Sequence, residues 1–319
     1  MNTEPLQQQL ITHVPKRALE MFTGKLLGDG NITIEKRIRG RFRFGHTASD
    51  KAWCFHCYQE LKTYFPFAPP KYREIKDKRT NIKYKQYYVQ STTHDMIEQL
   101  KYCWYEGKQK QLPRSLIDYA MSPLCLAWWY QDDGHLKTGN GVPKKIILST
   151  DSFSLRERNY LKQILFEKFH LDFHPDGQKR LILYNKPSIY YFLHIVRPYI
   201  IDGMSRKDIK PTPLNISNFP STLRTTISLP SFVSITKPTK QIQNALKQLS
   251  ELMNTLDQNY QELFKTWASE SKKWNNTRKP YQIQIPQKEL FYLEQFHTKT
   301  GFQKGECATF CFIKDRFGI

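Results

Sequence analysis

The strongest constraint on this chain is that it repeats itself. Residues 22–30 (Phe22, Thr23, Gly24, Lys25, Leu26, Leu27, Gly28, Asp29, Gly30) match residues 126–134 (Leu126, Ala127, Trp128, Trp129, Tyr130, Gln131, Asp132, Asp133, Gly134) at an offset of 104. At the same offset Ile32 meets Leu136, Phe42 meets Ile146, Phe44 meets Leu148, Leu61 meets Leu165 and Phe65 meets Phe169. One supersecondary unit is therefore used twice, and the fold is built from that unit and its copy. Each copy reads as a helix ending in Asp-Gly, two strands, a helix (about 49–65 and 154–169), one or two strands and a final helix (about 93–105 and 187–197), an α+β pattern. Gly24 and Gly28 in the first motif, and Ala127 in the second, are small enough for the two motif helices to pack closely. An acid at a helix C-terminus faces the negative end of the dipole. Asp29 and Asp133, brought together by such packing, would repel one another unless divalent cations lay between them.

Charge points to the partner. Of 319 residues, 49 are Lys or Arg and 29 are Asp or Glu, a formal charge of +20, which calls for a polyanion. Residues 1–220 hold 35 cations and 21 acids, against 14 and 8 in residues 221–319, so most of the surplus belongs to the repeats. Lys36, Arg37, Arg39, Arg41 and Arg43 alternate with Ile38, Phe42 and Phe44, which predicts a strand or hairpin with one apolar and one cationic face. A second basic stretch from Lys71 to Lys85 runs into Gln86, Tyr87, Tyr88, Val89 and Gln90. A charge run is by itself only a solvated face. Two on strand-like patterns suit a duplex groove. No run of ~18 apolar residues is present, so no membrane partner is expected. Residues 1–15 contain Glu4 and three glutamines in place of a basic end and an apolar run, and the six cysteines are sparse. These features predict a reducing intracellular compartment, bacterial cytoplasm or organelle, and not secretion.

The residues just quoted carry a family resemblance. Residues 126–134, preceded by Ser122-Pro123 and followed by Ile147, Leu148, Ser149, Thr150, Asp151, Ser152 and Phe153, resemble the second motif of two-motif, monomeric LAGLIDADG homing endonucleases. Arg197, Pro198, Tyr199, Ile200 and Ile201 resemble the end of that family's second repeat, and the first motif keeps its Leu-Gly-Asp-Gly end. The resemblance spans about residues 15–215. It implies two pseudo-symmetric αββαββα repeats (15–112 and 113–210) with saddle-shaped antiparallel sheets, and motif helices side by side on a pseudo-twofold axis. It implies Asp29 and Asp133 as catalytic metal ligands, the carbonyls of Gly28 and Asp132 as neighbouring ligands, and Mg2+ as the ion. Lys110 and Lys207 match the basic residues that the family places near each centre, and Gln131 is a further candidate for positioning water. The implied activity is a staggered double-strand break at a long DNA site, promoting mobility of the intron or intein that encodes the protein. Two other readings stay open: an RNA maturase acting on its own intron, or a noncatalytic DNA-binding regulator. Retention of both Asp29-Gly30 and Asp133-Gly134 favours catalysis.

DNA reading is expected from strands around residues 32–46, 71–90, 135–150 and 179–185, with Arg37, Arg39, Arg41, Arg43, Lys83, Lys85, Lys144, Lys145, Lys179 and Arg180 as contacts. Cys54-Phe55-His56-Cys57 could begin a zinc site but has no second ligand pair at a suitable spacing, and a core helix is the preferred reading. Trp128, Trp129 and Tyr130 are expected in the core.

The last hundred residues lie outside the resemblance. Residues 211–239, with five prolines across 208–239, read as a linker or strap. Ile242, Leu249, Leu256 and Leu263 recur every seven residues, predicting an amphipathic helix over 240–277 that either forms a coiled coil or lies on its own domain. Residues 278–319 read as strand, helix, Gly301 turn and helix. This mostly helical extension ends in a segment that resembles a ribbon-helix-helix DNA-binding unit, in which two copies pair their strands. Gln282 and Gln284 would then be base-reading positions, and a homodimer would follow; the alternative is a small α/β appendage with only a packing role.

Overall fold

The computed structural model describes residues 3–34, 39–76, 81, 83–209, 213–276 and 278–317. Lys36, Arg37 and Ile38 lie outside the described residues, as do Lys78, Arg79 and Pro211. The chain forms two compact units, Met1–Leu183 with Leu193–Ile209, and Tyr184–Phe192 with Lys210–Ile319.

The first unit opens with α1 (Glu4–His13) and then runs twice through one order of elements. The first pass is α2 (Lys16–Leu27), β1 (Asn31–Ile32), β2 (Phe42–Thr47), α3 (Lys51–Leu61), β3 (Phe67–Lys76), β4 (Lys83–Ser91) and α4 (Asp95–Trp104). A hairpin of β5 (Tyr105–Glu106) and β6 (Gln109–Lys110), then α5 (Arg114–Ala120), lead into the second. That is α6 (Pro123–Asp133), β7 (Gly134–Gly139), β8 (Val142–Leu148), α7 (Leu155–Phe169), β9 (His174–Pro175), β10 (Leu181–Leu183) and α8 (Lys186–Val196), of which the residues up to Phe192 belong to the second unit. Both sheets are antiparallel with the same strand order, β1-β2-β4-β3 and β7-β8-β10-β9, so the duplication read from the sequence is a duplication of topology.

Local chemistry sets the boundaries. Ser122 Oγ accepts the Cys125 amide at 3.2 Å and Pro123 occupies the first turn, which starts α6. Ser154 and Glu157 form a reciprocal capping box on α7. Asn140 (φ 54) and Gly141 (φ 74) are both left-handed, the pairing that closes a tight hairpin between β7 and β8. Phe42 and Phe44 turn into the core as the alternation predicts, with Phe22 edge-on to Phe42 at 4.8 Å. Trp128, Trp129 and Tyr130 are all buried, and Cys54 and Cys57 sit in α3 on the core. Burial pushes the Cys54 thiol up to about 11 and the Cys57 thiol well above its ordinary value, which leaves both unreactive.

α2 and α6 lie against each other because nothing stands between their backbones. A Cβ on Gly24 would fall 2.7 Å from the Cys125 carbonyl oxygen and 2.7 Å from Trp128 Cβ. One on Gly28 would fall 2.6 Å from Asp132 Cβ.

The second unit corrects three expectations. The strap contains a nine-residue strand, β11 (Thr222–Pro230). The long helix is broken into α9 (Pro238–Leu246), α10 (Leu249–Asn254) and α11 (Leu256–Asn276). Ile242, Leu249, Leu256 and Leu263 are buried inside the unit, so the heptad stripe covers its own core and is not left for a coiled coil. β12 (Arg278–Pro286) is followed by α12 (Gln287–Thr300), a left-handed Gly301 (φ 73) and α13 (Lys304–Phe317). Its ladder partner is β11 of the same chain over nine residue pairs. Among the described residues, no helix is long and apolar enough to cross a membrane.

Gly24→Ala should destabilise the first unit by about 1–3 kcal/mol through overpacking, despite alanine's better helix propensity. Urea denaturation checks this, and an unchanged midpoint would contradict the close helix contact.

Candidate active site and nucleic-acid interface

Gly28 ends α2, and Asp29 follows it with a carboxyl 40% exposed and one oxygen 3.4 Å from His46 Nδ1. Burial, then the charge of Asp132, raise the Asp29 carboxyl to about 7, with Lys25 opposing. Asp133 closes α6. Burial raises its carboxyl, a Ser149 hydrogen bond pulls it back, and Asp132 pushes it up again. Both acids therefore ionise less readily than free carboxylates, as expected where like charges share the negative ends of two helices.

Between them lies an arrangement that sequence reasoning missed. Asp132 had been assigned only a carbonyl role, but its side chain is completely buried and ion-paired with the equally buried Lys25 at 2.6 Å. Trp53 Nε1 donates to the same Asp132 oxygen at 2.6 Å, and the Asp29 amide donates to the other at 3.2 Å. Lys25 Nζ also lies 2.9 Å from His46 Nε2. With the ammonium donating there, the imidazole keeps its proton on Nδ1, facing Asp29. Burial and the two lysines, Lys25 and Lys207, lower the His46 pKa well below its ordinary value, so the ring is neutral. Burial pulls the Lys25 pKa down most strongly, but Asp132, Cys57 and Asp29 together outweigh it and the net shift is upward. The available signal was the repeat itself: at offset 104 Gly28 matches Asp132 and Lys25 matches Trp129, a mismatch that marks one half as charged where the other is small or aromatic.

Ligand atoms of Asp29, His46 and Asp132 lie within 4.8 Å of one another, a group that could hold a cation. Asp132 Oδ1 is held by Lys25 and Trp53 and its Oδ2 by the Asp29 amide, and His46 Nε2 faces an ammonium. The open acid of this group is Asp29. Its raised pKa and its repulsion with Asp132 are what a divalent cation would relieve, and its carboxylate oxygen suits a hard ion.

Of the three supporting candidates, Lys110 and Lys207 lie close enough to the acids to feel their charge, and Gln131 is taken up by main-chain partners. Lys207 is 7% exposed, and its Nζ donates to the carbonyls of Tyr130 (2.9 Å), Gln131 and Asp132 (3.4 Å), capping the C-terminus of α6. Lys110 Nζ donates to the Gly30 carbonyl at 3.1 Å. Burial lowers both ammonium groups to about 8. Gln131 is fully buried, its amide donating to the Tyr199 carbonyl at 2.9 Å and accepting the Ile201 amide at 3.0 Å. It holds the turn after α8 and has no group left to position water.

The outer face of the first sheet is set by register. Arg43 stands opposite Gln90 and bonds its Oε1 at 2.8 Å. Gln86 stands opposite Arg73, which holds the Gln86 Oε1 with Nε (2.8 Å) and Nη2 (2.6 Å) and lies 4.4 Å over the Tyr88 ring. Arginine and glutamine are the residue types that read guanine and adenine edges. Lys83 and Lys85 stand opposite Lys76 and Glu74, on the face shared with Val89, and so leave this set. Arg39 is ion-paired with Asp95, and Arg41 is exposed. In the second sheet Lys145 pairs with Lys137, and Lys144 is the extra residue of a bulge. Arg180 grips Asp176 at 2.6 and 2.9 Å, holding the turn in which Lys179 is left-handed (φ 63).

Two four-stranded sheets, each behind a helix that ends in an acid, define a duplicated nuclease-type module. The chain matches the LAGLIDADG DNA endonuclease family over residues 19–189 and belongs to that family. It is 29% identical over 208 residues to the probable intron-encoded endonuclease 1 of Wickerhamomyces canadensis, covering 61% of this chain and 85% of that one. It is 28% identical over 203 residues to the cytochrome b mRNA maturase bI2 of Debaryomyces hansenii, covering 60% and 73%. The solved homing endonuclease I-WcaI bound to its DNA recognition sequence is similar at a TM-score of 0.54 and 26% identity, covering 64% of this chain and 90% of that one.

Asp132→Ala should destabilise the protein by about 3–5 kcal/mol by stranding the Lys25 ammonium. Adding Lys25→Met should restore much of that in urea denaturation, and a wild-type midpoint for the single variant would refute the buried pair. Asp29 carries a pH signature. Its carboxyl rises from 3.8 to about 7 on folding, so its penalty is absent below about pH 4, grows between, and is complete above about pH 7. In EDTA, Asp29→Asn should raise Tm at pH 8 and leave it unchanged at pH 4. Equal Tm values at both would contradict the shift.

Proposed function

We propose that this chain is a site-specific DNA endonuclease that makes a metal-dependent, staggered double-strand break and so promotes mobility of the intron or intein that encodes it. The observation that carries this reading is the pair of strained acids at the ends of two packed helices, each beside a sheet with cationic outer residues. Asp29 and Asp133 would hold divalent cations, Mg2+ by the hardness of the donors, with the carbonyls of Gly28 and Asp132 as neighbouring oxygens. A bound ion supplies a lowered pKa for attacking water and charge stabilisation for the leaving oxygen.

The protein's own groups prepare that chemistry. His46 Nδ1–H faces the Asp29 carboxylate and orients it, while the saturated Asp132 keeps negative potential beneath it without competing for the ion. Lys207 offsets the helix end at Asp133, and Lys110 anchors the main chain at Gly30, next to Asp29. Arg43, Arg73, Gln86 and Gln90 from one sheet, and Lys137 and Lys145 from the other, are the groups we assign to the duplex. A second reading is favoured by the maturase among the relatives: the same basic sheets would hold intron RNA, with or without cleavage.

With a plasmid carrying the intronless insertion site, Mg2+ should give linear product with staggered ends, and EDTA should abolish it. Asp29→Asn and Asp133→Asn should each lower cleavage by at least ~100-fold while binding persists. Undiminished cutting by either variant would sink the assignment, and intron RNA binding without any DNA cleavage would favour the maturase.

A further inference from the structure

We infer that the second unit carries its own duplex-reading surface, a two-stranded ribbon folded from one chain, and that it reads an asymmetric sequence through the major groove. The argument begins with an internal repeat in the extension. At an offset of 56, Ile227 matches Ile283, Leu229 matches Ile285 and Pro230 matches Pro286. The matched apolar residues are the buried ones of β11 and β12. The two strands pair antiparallel in unbroken register from Thr222↔Pro286 to Pro230↔Arg278, centred on Thr226↔Gln282. Helix packing follows the same pseudo-twofold: α12 lies against α10, α9 against α13, and each of α9 and α12 against the strand of the other half.

Ribbon-helix-helix pairing of this kind is ordinarily made by two copies. Here the second strand comes from the same chain, so the expected homodimer is not needed to complete it.

Alternation sends the inward residues to the core and leaves Arg224, Thr226, Gln282 and Gln284 exposed on one face. Arg224 Nη2 lies 2.9 Å from Gln282 Oε1, and Gln284 Nε2 lies 3.0 Å from Thr222 Oγ1. The four ends are aligned side by side, with no apolar side chain among them. β11 and β12 contain no acidic residue; Arg278 is ion-paired with Glu306, and Arg224 and Lys279 are exposed cations that complement a polyanion. A two-stranded ribbon fits the major groove, where arginine reads guanine and glutamine reads adenine. RNA duplexes have too narrow a major groove for this element, which favours DNA as the occupant. The pseudo-twofold maps Arg224 onto Pro280 and Ser228 onto Gln284, so the two halves present different chemistry and the site read cannot be a palindrome.

This inference rests on the DNA-binding part of the proposed function and is separable from it by experiment. Full-length protein would be used to select from a pool of random 40-base-pair duplexes in Ca2+, which suppresses cutting. Wild type should enrich a site containing a short non-palindromic block that is lost, with affinity falling roughly 5- to 100-fold, in the Arg224→Ala, Gln282→Ala, Gln284→Ala triple variant. Tm should be unchanged, since all three side chains are exposed. A control variant with Arg43→Ala and Arg73→Ala should lose the remainder of the site and keep the block. If the triple variant enriches the same sequences with the same affinity, or if the block is palindromic and bound by two chains, the inference fails. Loss of the block with survival of the rest would leave the nuclease reading intact. The converse result would leave the ribbon intact and remove the sheets from DNA recognition.

Discussion

Two carboxylates at the C-terminal ends of two touching helices oppose one another and both helix dipoles. The rest of the first unit makes that arrangement tolerable. Gly24 and Gly28 bring α2 against α6, where larger residues would hold the acids apart. Lys207 caps α6 from one side and Lys25 sits buried on the other, so positive charge is supplied from behind while Asp29 stays open to solvent. Burial first, and then the repulsion left over from Asp132, appear as the raised carboxyl of Asp29. A cation bound there would relieve that repulsion, and the proposed ion binding would then be linked to stability.

The two halves share a topology but not an interior. Gly28 leaves the space into which the Asp132 carboxylate fits, and that carboxylate needs Lys25, Trp53 and the Asp29 amide to be buried at all. His46 then closes a path from the buried pair to Asp29. The described residues place no such path at Asp133, which meets Ser149 instead. A duplicated module has thus been given two chemically different centres on one pseudo-symmetric frame.

The repeat, the topology and the two acids could be read from the chain because they are local in spacing: a period of 104, alternation of period two, and Asp-Gly at each helix end. The cationic faces were only half readable. Counting charge finds Lys83, Lys85 and Arg180, but which side of a strand a residue occupies depends on register, and whether it is free depends on partners such as Asp176. Gln131 and Lys207 looked catalytic by position, yet their partners are main-chain carbonyls and amides that no sequence pattern announces. Asp132 was misjudged because a doubled acid reads as surplus charge until the opposite helix shows a glycine and a lysine in its path.

The extension teaches the same lesson about strands. β12 was readable from Tyr281 to Pro286, and its partner was sought in a second copy because β11 sits in a proline-rich stretch that resembles a strap. Pro230 ends β11 as Pro286 ends β12, where a missing amide terminates a ladder without interrupting it. The heptad between them is equally deceptive. A straight helix would have exposed Ile242, Leu249, Leu256 and Leu263 as a seam, but breaks after Leu246 and Asn254 fold the stripe inward and cover the ribbon's apolar side. With strand pairing and stripe both satisfied within one chain, the ribbon face that carries Arg224, Thr226, Gln282 and Gln284 is polar and different in its two halves. The strand pairing that a second copy would ordinarily supply is thus already made, and the proposed reading of a groove asks only for this face.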